Sequence, residues 1–504
     1  MWFGLLLAIA NSASAFALLG PFKNVADPTL TGLEWQAAGY GGRPQGLGYN
    51  IPGSIGGPMY AHEAYRWNIP TITYAFDFTF LRYFGPEGVN AVEQAIAILN
   101  ALPPASQMSA TLTEFPLDMK AQNGAAGALG LLDLKSHTLS LLLEEMGLAS
   151  PERFVWGLRT RDTGTNPNFT NYVVIQLNYD PVTAQNSRYV NGVLYNYQLF
   201  DALGPQGEEW ASAVEWYQLD PLYEPYSSVA GALFGDFQLG DSPSGAIVAI
   251  AQGLTVGQYF RGLTRDDVGG LRYLLSTNHI VFDSLIPTVL PRSGGSRSSP
   301  WSPIISSNIF GTNITGVSNI IRNIDTNFPN FVRTAPRPGI DKITFQRVPL
   351  FGPSFTPITL RYTDRFISTN TGRIVKQPVE RLVLQPDIIF AVRDLGTVDE
   401  IPFLISRTDT TGWTNNAALN TFLGGVGNGG PGTINPPIVI QFSDTVPYFI
   451  NLFTAEGDAD AFSFGTWGSF DGTDRPPVVY PVFPHPVVPD FSLEYLQDVV
   501  LRQN

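Results

Sequence analysis

Hydrophobic and polar positions change period several times along the chain. The stretch WNIPTITYAFDFTFLRYF, residues 67–84, alternates as a strand does. It leads into PEGVNAVEQAIAILNALP, whose apolar residues recur at helical spacing until Pro103 and Pro104 stop it. LLDLKSHTLSLLLEEMGLASP, residues 131–151, reads as one amphipathic helix with a glycine near its end. At 100° per residue Asp133, His137, Ser140 and Glu144 share a polar stripe facing solvent or a cleft, while Leu132, Leu139, Leu142, Leu143 and Met146 form the apolar side. NYVVIQLNY and RYVNGVLYNYQLF read as strands, the second with a hairpin turn at Asn191-Gly192. LTRDDVGGLRYLL, residues 263–275, predicts a short helix with Thr264 as N-cap and Asp266 and Asp267 in the first turn, where carboxylates favour the helix dipole.

Beyond residue 338 the period shortens. IDKITFQRV, ITLRYTD, ERLVLQ, IIFAVRDL, IPFLIS, PIVIQFS and YFINLF are short β-branched or aromatic runs separated by turn residues, the pattern of an antiparallel sandwich, of which the immunoglobulin type is one form. Residues 20–60 are rich in Gly and Pro without usable periodicity and are expected to lie as coil over a domain.

The amino end adds a targeting expectation. An apolar run from Trp2 to Ala10 is followed by Ala13-Ser14-Ala15, the small-x-small pattern of a signal-peptidase site, although no Lys or Arg precedes the run. Asn11, Ser12 and Ser14 interrupt it too early for a spanning helix, which needs about 20 apolar residues. Secretion or display at the cell surface is the expectation, with no transmembrane segment once the signal is removed. The resulting partition is a signal peptide at 1–15, a Gly/Pro-rich arm at 16–66, an α+β domain at 67–285, a Ser/Gly/Pro-rich connector at 286–337, an all-β sandwich at 338–482 and a tail at 483–504.

Composition narrows the chemistry. Across 504 residues only 14% are charged and the formal net charge is −14, with basic residues scattered along the sequence, so nucleic acid is not an expected partner. Cysteine is absent, which removes disulfides, thiolate metal sites and cysteine nucleophiles together. No G-x-S-x-G elbow, P-loop or dinucleotide fingerprint occurs: GGVGNGGPG, residues 424–432, has the glycines without a following helix or Lys-Ser/Thr, and Ser54 and Ser244 sit in turn-like loops.

Four histidines exist, His62, His137, His279 and His485, far apart in sequence. His137 and Glu144 are two turns apart, about 10 Å along a helix axis, too far for one zinc ion to hold both. Asp458, Asp460, Asp471 and Asp474, in EGDADAFSFGTWGSFDGTDRP, are candidates for an extracellular calcium site, though without EF-hand spacing. No other cofactor is expected.

The 131–151 stretch resembles the active-site helix of matrixin-type metzincin metalloproteases, H-E-x-x-H-x-x-G-x-x-H/D at the end of an apolar helix. The glycine of that motif falls on Gly147. WNIPTITYAFD resembles the family's opening strand and LTRDDVGGLRYLL its final helix. The resemblance covers residues 67–150 and 263–275 and implies a metzincin-like first domain. The metal-binding histidines of the motif fall on Ser140, Glu144 and Ser150 and its general-base glutamate on Leu141, and no methionine follows Met146. A catalytic zinc needs three protein ligands and a carboxylate to take the proton from its water. The resemblance therefore implies a scaffold without its zinc site. The expected function is an exported, non-catalytic structural or binding protein whose partner is an extracellular protein, a polysaccharide or its own copies. An active secreted peptidase or polysaccharide hydrolase with a site not visible as a motif is the alternative.

Overall fold

The computed structural model describes residues 15–21, 55–61, 65–152, 154–162, 171–203, 209–217, 228–231, 254–292, 331–350, 355–368, 370–395, 406–415, 432–444, 446–452 and 459–481. Helices and many strands are combined, as an α+β reading requires. The first described strand is β1 (Phe16–Pro21), and β2 (Thr71–Phe76) leads into α1 (Phe78–Ala101). β3 (Leu131–Asp133) runs straight into α2 (Leu134–Glu145), and α3 (Arg265–Leu275) follows after a group of hairpins. Then come β4 (Val289–Pro291), β5 (Thr344–Arg347), β6 (Ile358–Ile367), β7 (Ile374–Val383), β8 (Ile388–Arg393), β9 (Ser406–Asn415), β10 (Gly432–Ser443) and β11 (Ala459–Ser469).

Several local expectations change here. The alternating stretch 67–84 is a strand only to Phe76, because Asp77 caps a helix: its Oδ1 accepts from the Phe80 amide at 2.9 Å. Phe80 and Phe84 are four apart, so the same aromatic spacing that alternates along a strand also stacks on one helix face. The expected coil over 20–60 is preceded by a buried strand: β1 pairs antiparallel with Gly56–Met59, Leu148–Ala149 and Asn178–Tyr179, and Ala15 to Leu19 are buried. Helix 131–151 is shorter than its periodicity suggests. Its first three residues form β3, parallel to β11, and it ends at Gly147, whose φ of 98° is the left-handed C′ conformation that glycine permits. A Cβ there would also stand 2.5 Å from the Tyr65 carbonyl oxygen, so shape and dihedral both demand glycine.

The hairpin at Asn191-Gly192 forms, both residues having positive φ. α3 begins with a full capping box: Thr264 Oγ1 and the Asp267 carboxylate each serve the other's backbone amide.

The largest sheet has the order β5-β2-β8-β10-β9, with the first four strands parallel and β9 antiparallel at the edge. The antiparallel sandwich expected over 338–482 is corrected at this point. Where β8 and β10 pair, Ile388–Val392 and Ile438–Phe442 are apolar but for Gln441 and mostly buried, as parallel strands covered on both faces are, and long connections supply the crossovers. β2 lies between β5 and β8, so strands from both sides of the 286–337 connector alternate in one sheet. Of that connector, 293–330 lies outside the described residues, as do 1–14 and 483–504.

On the sheet, Phe76, Phe390 and Phe442 stack against Phe80 and Phe84 of α1, and Trp467 and Tyr480 close the cluster. The main apolar core runs without a break from Phe16 to Tyr480. Among the described residues no helix is long and apolar enough to cross a membrane.

Candidate functional site

Helix α2 is the place to look for chemistry, and it is interior on every side. Asp133 caps it: its Oδ2 accepts from the Ser136 amide at 3.0 Å and from the Ser136 hydroxyl at 2.5 Å. The Ser136 oxygen in turn accepts from the Phe260 amide at 2.7 Å, tying the helix start to the strand before α3. One turn on, His137 Nδ1 lies 2.9 Å from the Asp133 carbonyl oxygen and its ring meets Trp467 edge-on at 5.0 Å. α1, β9 and β11 pack around the helix, and Trp67 Nε1 donates to the Glu145 carbonyl at 2.7 Å.

The expected solvent- or cleft-facing stripe is therefore corrected: Asp133, His137 and Ser140 are 1–3% exposed and Glu144 is 7% exposed. The apolar side packs against α1, while Trp467 and the neighbouring strands cover the polar side. Burial sets the protonation states. The imidazole of His137, desolvated and only partly supported by its bond to Asp133, titrates at about 4 and is neutral near pH 7. Desolvation raises the Asp133 carboxyl, opposed by Lys135 and the Ser136 bonds.

At the metzincin-motif positions, Ser140, Leu141 and Ser150 are at most 1% exposed, and Glu144 is nearly so. Ser150 Oγ donates to Glu152 at 3.3 Å. Glu152 is the residue the sequence reading passed over. Its two oxygens accept from the Ser228 amide at 2.9 Å and the Ser228 hydroxyl at 2.6 Å. Beside it Asp267 accepts from the amides of Val229 and Ala230, at 3.1 and 3.0 Å, and from Thr264. Two carboxylates thus hold three consecutive residues, 228–230, by their backbone amides, and the Ser228 hydroxyl oxygen accepts from the Gly231 amide at 3.0 Å. Desolvation pushes both carboxyl groups up, against the lowering effect of those hydrogen bonds. Asp266 anchors another turn through the Asn191 amide at 2.7 Å. These acids orient loops; none opens onto a cleft.

A second buried set joins distant segments. Arg66 meets Asp283 at 2.7 Å, Arg337 meets Asp364 at 2.9 Å, and Arg381 pairs with Asp387, all with side chains at most 3% exposed. The one sequence hint was an arginine inside Tyr65-Arg66-Trp67, an apolar stretch where a lone cation needs a partner.

Among the described residues the remaining candidates do not converge. His279 lies against Tyr273, with ring centroids 4.4 Å apart, and burial next to Arg66 lowers its pKa to about 4. His62, His485, Ser54, Ser244 and Asp458 lie outside the described residues, as does the 424–432 loop up to Gly432. For the calcium candidates, Asp460 is paired with Asn451 near the start of β11, whereas Asp471 and Asp474 follow its end, about 30 Å further at strand rise. Asp471 is engaged in its own turn, its Oδ1 accepting from the Thr473 amide at 2.8 Å and from the Thr473 hydroxyl. Of the described members, Asp460 is not brought to Asp471 and Asp474.

Comparison of the chain with family models, with curated proteins and with solved structures returned no match.

Proposed function

We propose that this chain is an exported, non-catalytic protein built on a degenerate metzincin-like scaffold, acting through its surface on an extracellular partner. The observation that carries the reading is the placement of Ser140, Leu141, Glu144 and Ser150. These are the positions that the motif needs for its ligands and its base, and they lie in packed interior, where Ser140 and Ser150 are poor metal ligands, leaving Glu144 alone, and Leu141 cannot accept a proton. The scaffold half of the proposal rests on shape. The helix ends on the left-handed Gly147, it packs beside the antiparallel edge strand β9, β2 is followed at once by α1, and α3 opens with a Thr-x-x-Asp box.

The test uses purified full-length protein. Metal content by mass spectrometry and hydrolysis of casein and of a panel of polysaccharides are measured with and without chelator. The expectation is no stoichiometric zinc and no turnover. Stoichiometric zinc with chelator-sensitive proteolysis would defeat the proposal, and secretion of a reporter fused behind residues 1–15 tests its export half.

A further inference from the structure

The three-stranded sheet β4-β7-β6 has one face on the core and one on solvent. Alternation sorts the residues. Tyr362, Asp364, Phe366, Val379 and Arg381 point inward, while Thr359, Arg361, Thr363 and Arg365 of β6 are exposed. The register places Glu380 opposite Arg361, Pro378 opposite Thr363, and Lys376 opposite Arg365. β4 extends the same face: Leu290 stands beside Glu380, and the Arg292 amide donates to the Pro378 carbonyl at 3.1 Å. Arg373 lies in the turn at the hairpin's end.

Five cations thus share one exposed surface in a chain of net charge −14, and Glu380 is its one carboxylate among the described residues, held 3.7 Å from Arg361. The sequence hides this because the five are divided among β6, β7, the β6–β7 turn and the residue that follows β4. Arg365 and Lys376 stand directly across the ladder from each other, a like-charge pairing that costs stability in an isolated hairpin and that a bound anion relieves. Arg292, Arg365, Arg373 and Lys376 form no ion pair with the described residues.

We propose that this face binds an acidic polysaccharide, one bearing carboxylate or sulfate groups along an extended chain. Outward rows follow each other at about 7 Å, so the cations form a line that a repeating polyanion can follow. Thr359 and Thr363 add hydroxyls, and Pro378, Leu290 and Ile374 add aliphatic surface for the C–H faces of sugar rings. Among the described residues no aromatic side chain lies on the face to stack a nucleobase. The described turn residues Ser368, Asn370, Thr371, Gly372 and Arg373 are polar, glycine or charged, and the exposed Ile374 and Val375 beside them sit next to Arg373 and Lys376, so the vesicle arms of the experiment separate a bilayer from a glycan. The partner class rests on the proposed extracellular role, but binding and catalysis are read separately, so failure of either leaves the other standing.

The experiment measures binding of the full chain to immobilised heparin and polygalacturonate, with neutral dextran, duplex DNA, and phosphatidylcholine vesicles with and without phosphatidylglycerol as comparisons. Salt-sensitive binding to one or both acidic glycans is expected, weakened at least about tenfold in R365E/K376E. R188E/R475E, which reverses two exposed arginines elsewhere, should leave it within about twofold. R365E alone places Glu opposite Lys376, so its unfolding midpoint should hold or rise while binding falls, which separates the site from the fold. Equal loss in both double variants, no loss in R365E/K376E, equal binding to DNA or anionic vesicles, or a concentration-dependent dimer abolished by R365E/K376E would each overturn the assignment.

Discussion

Arg66 and Asp283 meet 2.7 Å apart, with side chains at most 1% exposed, across 217 residues of sequence. Arg66 also donates to the carbonyls of His279 and Arg337, at 2.8 and 2.9 Å, and Arg337 donates to the Asp283 carbonyl at 2.7 Å before pairing with Asp364. One polar chain thus fastens the segment before β2 to the strand after α3 and to the β6–β7 hairpin.

Removing one partner of that pair should be costly. Arg66→Met leaves the Asp283 carboxylate buried with part of its compensation gone, and a loss of about 3–5 kcal/mol is expected. Denaturant unfolding of the variant and of Arg66→Met/Asp283→Leu checks this. The double variant should recover much of the loss, because an apolar pair carries no uncompensated charge; a single variant as stable as the parent would contradict the burial argument.

What was legible in the sequence follows from how local each signal is. Thr264 and Asp267 define the start of α3 within four residues, and Asn191-Gly192 carries its own turn geometry, so both were readable. The sheet was not. Thr71 pairs with Thr344 and Ile388 with Tyr74, and nothing near residue 71 records which distant strands will flank it. The polar stripe of α2 was read correctly as a stripe and wrongly as exposed, because burial of His137 depends on Trp467, a residue that chain topology alone brings there. Glu152 and Ser228 were missed for the same reason.

Gly147→Ala should destabilise the protein by about 1–3 kcal/mol, since alanine is strained at a φ of 98° and its Cβ would press on the Tyr65 carbonyl. Thermal unfolding reads this directly. Gly130→Ala, at a φ of 67° with open space around the added carbon, should cost less, which separates dihedral strain from crowding.

Glu152→Gln keeps the side-chain volume but turns an acceptor into a donor facing either the Ser228 amide or its hydroxyl. The 228–231 segment should loosen, with a cost of about 1–3 kcal/mol. Amide exchange at Val229 and Ala230 should rise less than at Ser228, because Asp267 still holds the former two. Uniform exchange across the segment would show that Asp267 does not act independently.

His137 gives stability a pH dependence of definite sign. Its pKa falls from 6.5 to about 4 on folding, so between those values the unfolded chain binds the extra proton. The stabilisation is fully present above pH 6.5 and is lost as pH drops toward 4, amounting to about 3 kcal/mol for so deeply buried a ring. The buried carboxyl groups of Asp133 and Glu152, raised by desolvation, act in the opposite sense: their folded forms take up protons first, so they favour folding as pH falls. The contribution of His137 is isolated by difference. His137→Asn, which keeps an N–H donor but cannot titrate, should be less stable than the parent at pH 7 and should lose less stability on going to pH 5. Guanidinium midpoints of both proteins at pH 7, 6 and 5 measure the two slopes, and parallel slopes would mean that the His137 pKa does not fall on folding and that its contact with Trp467 is not a dry one.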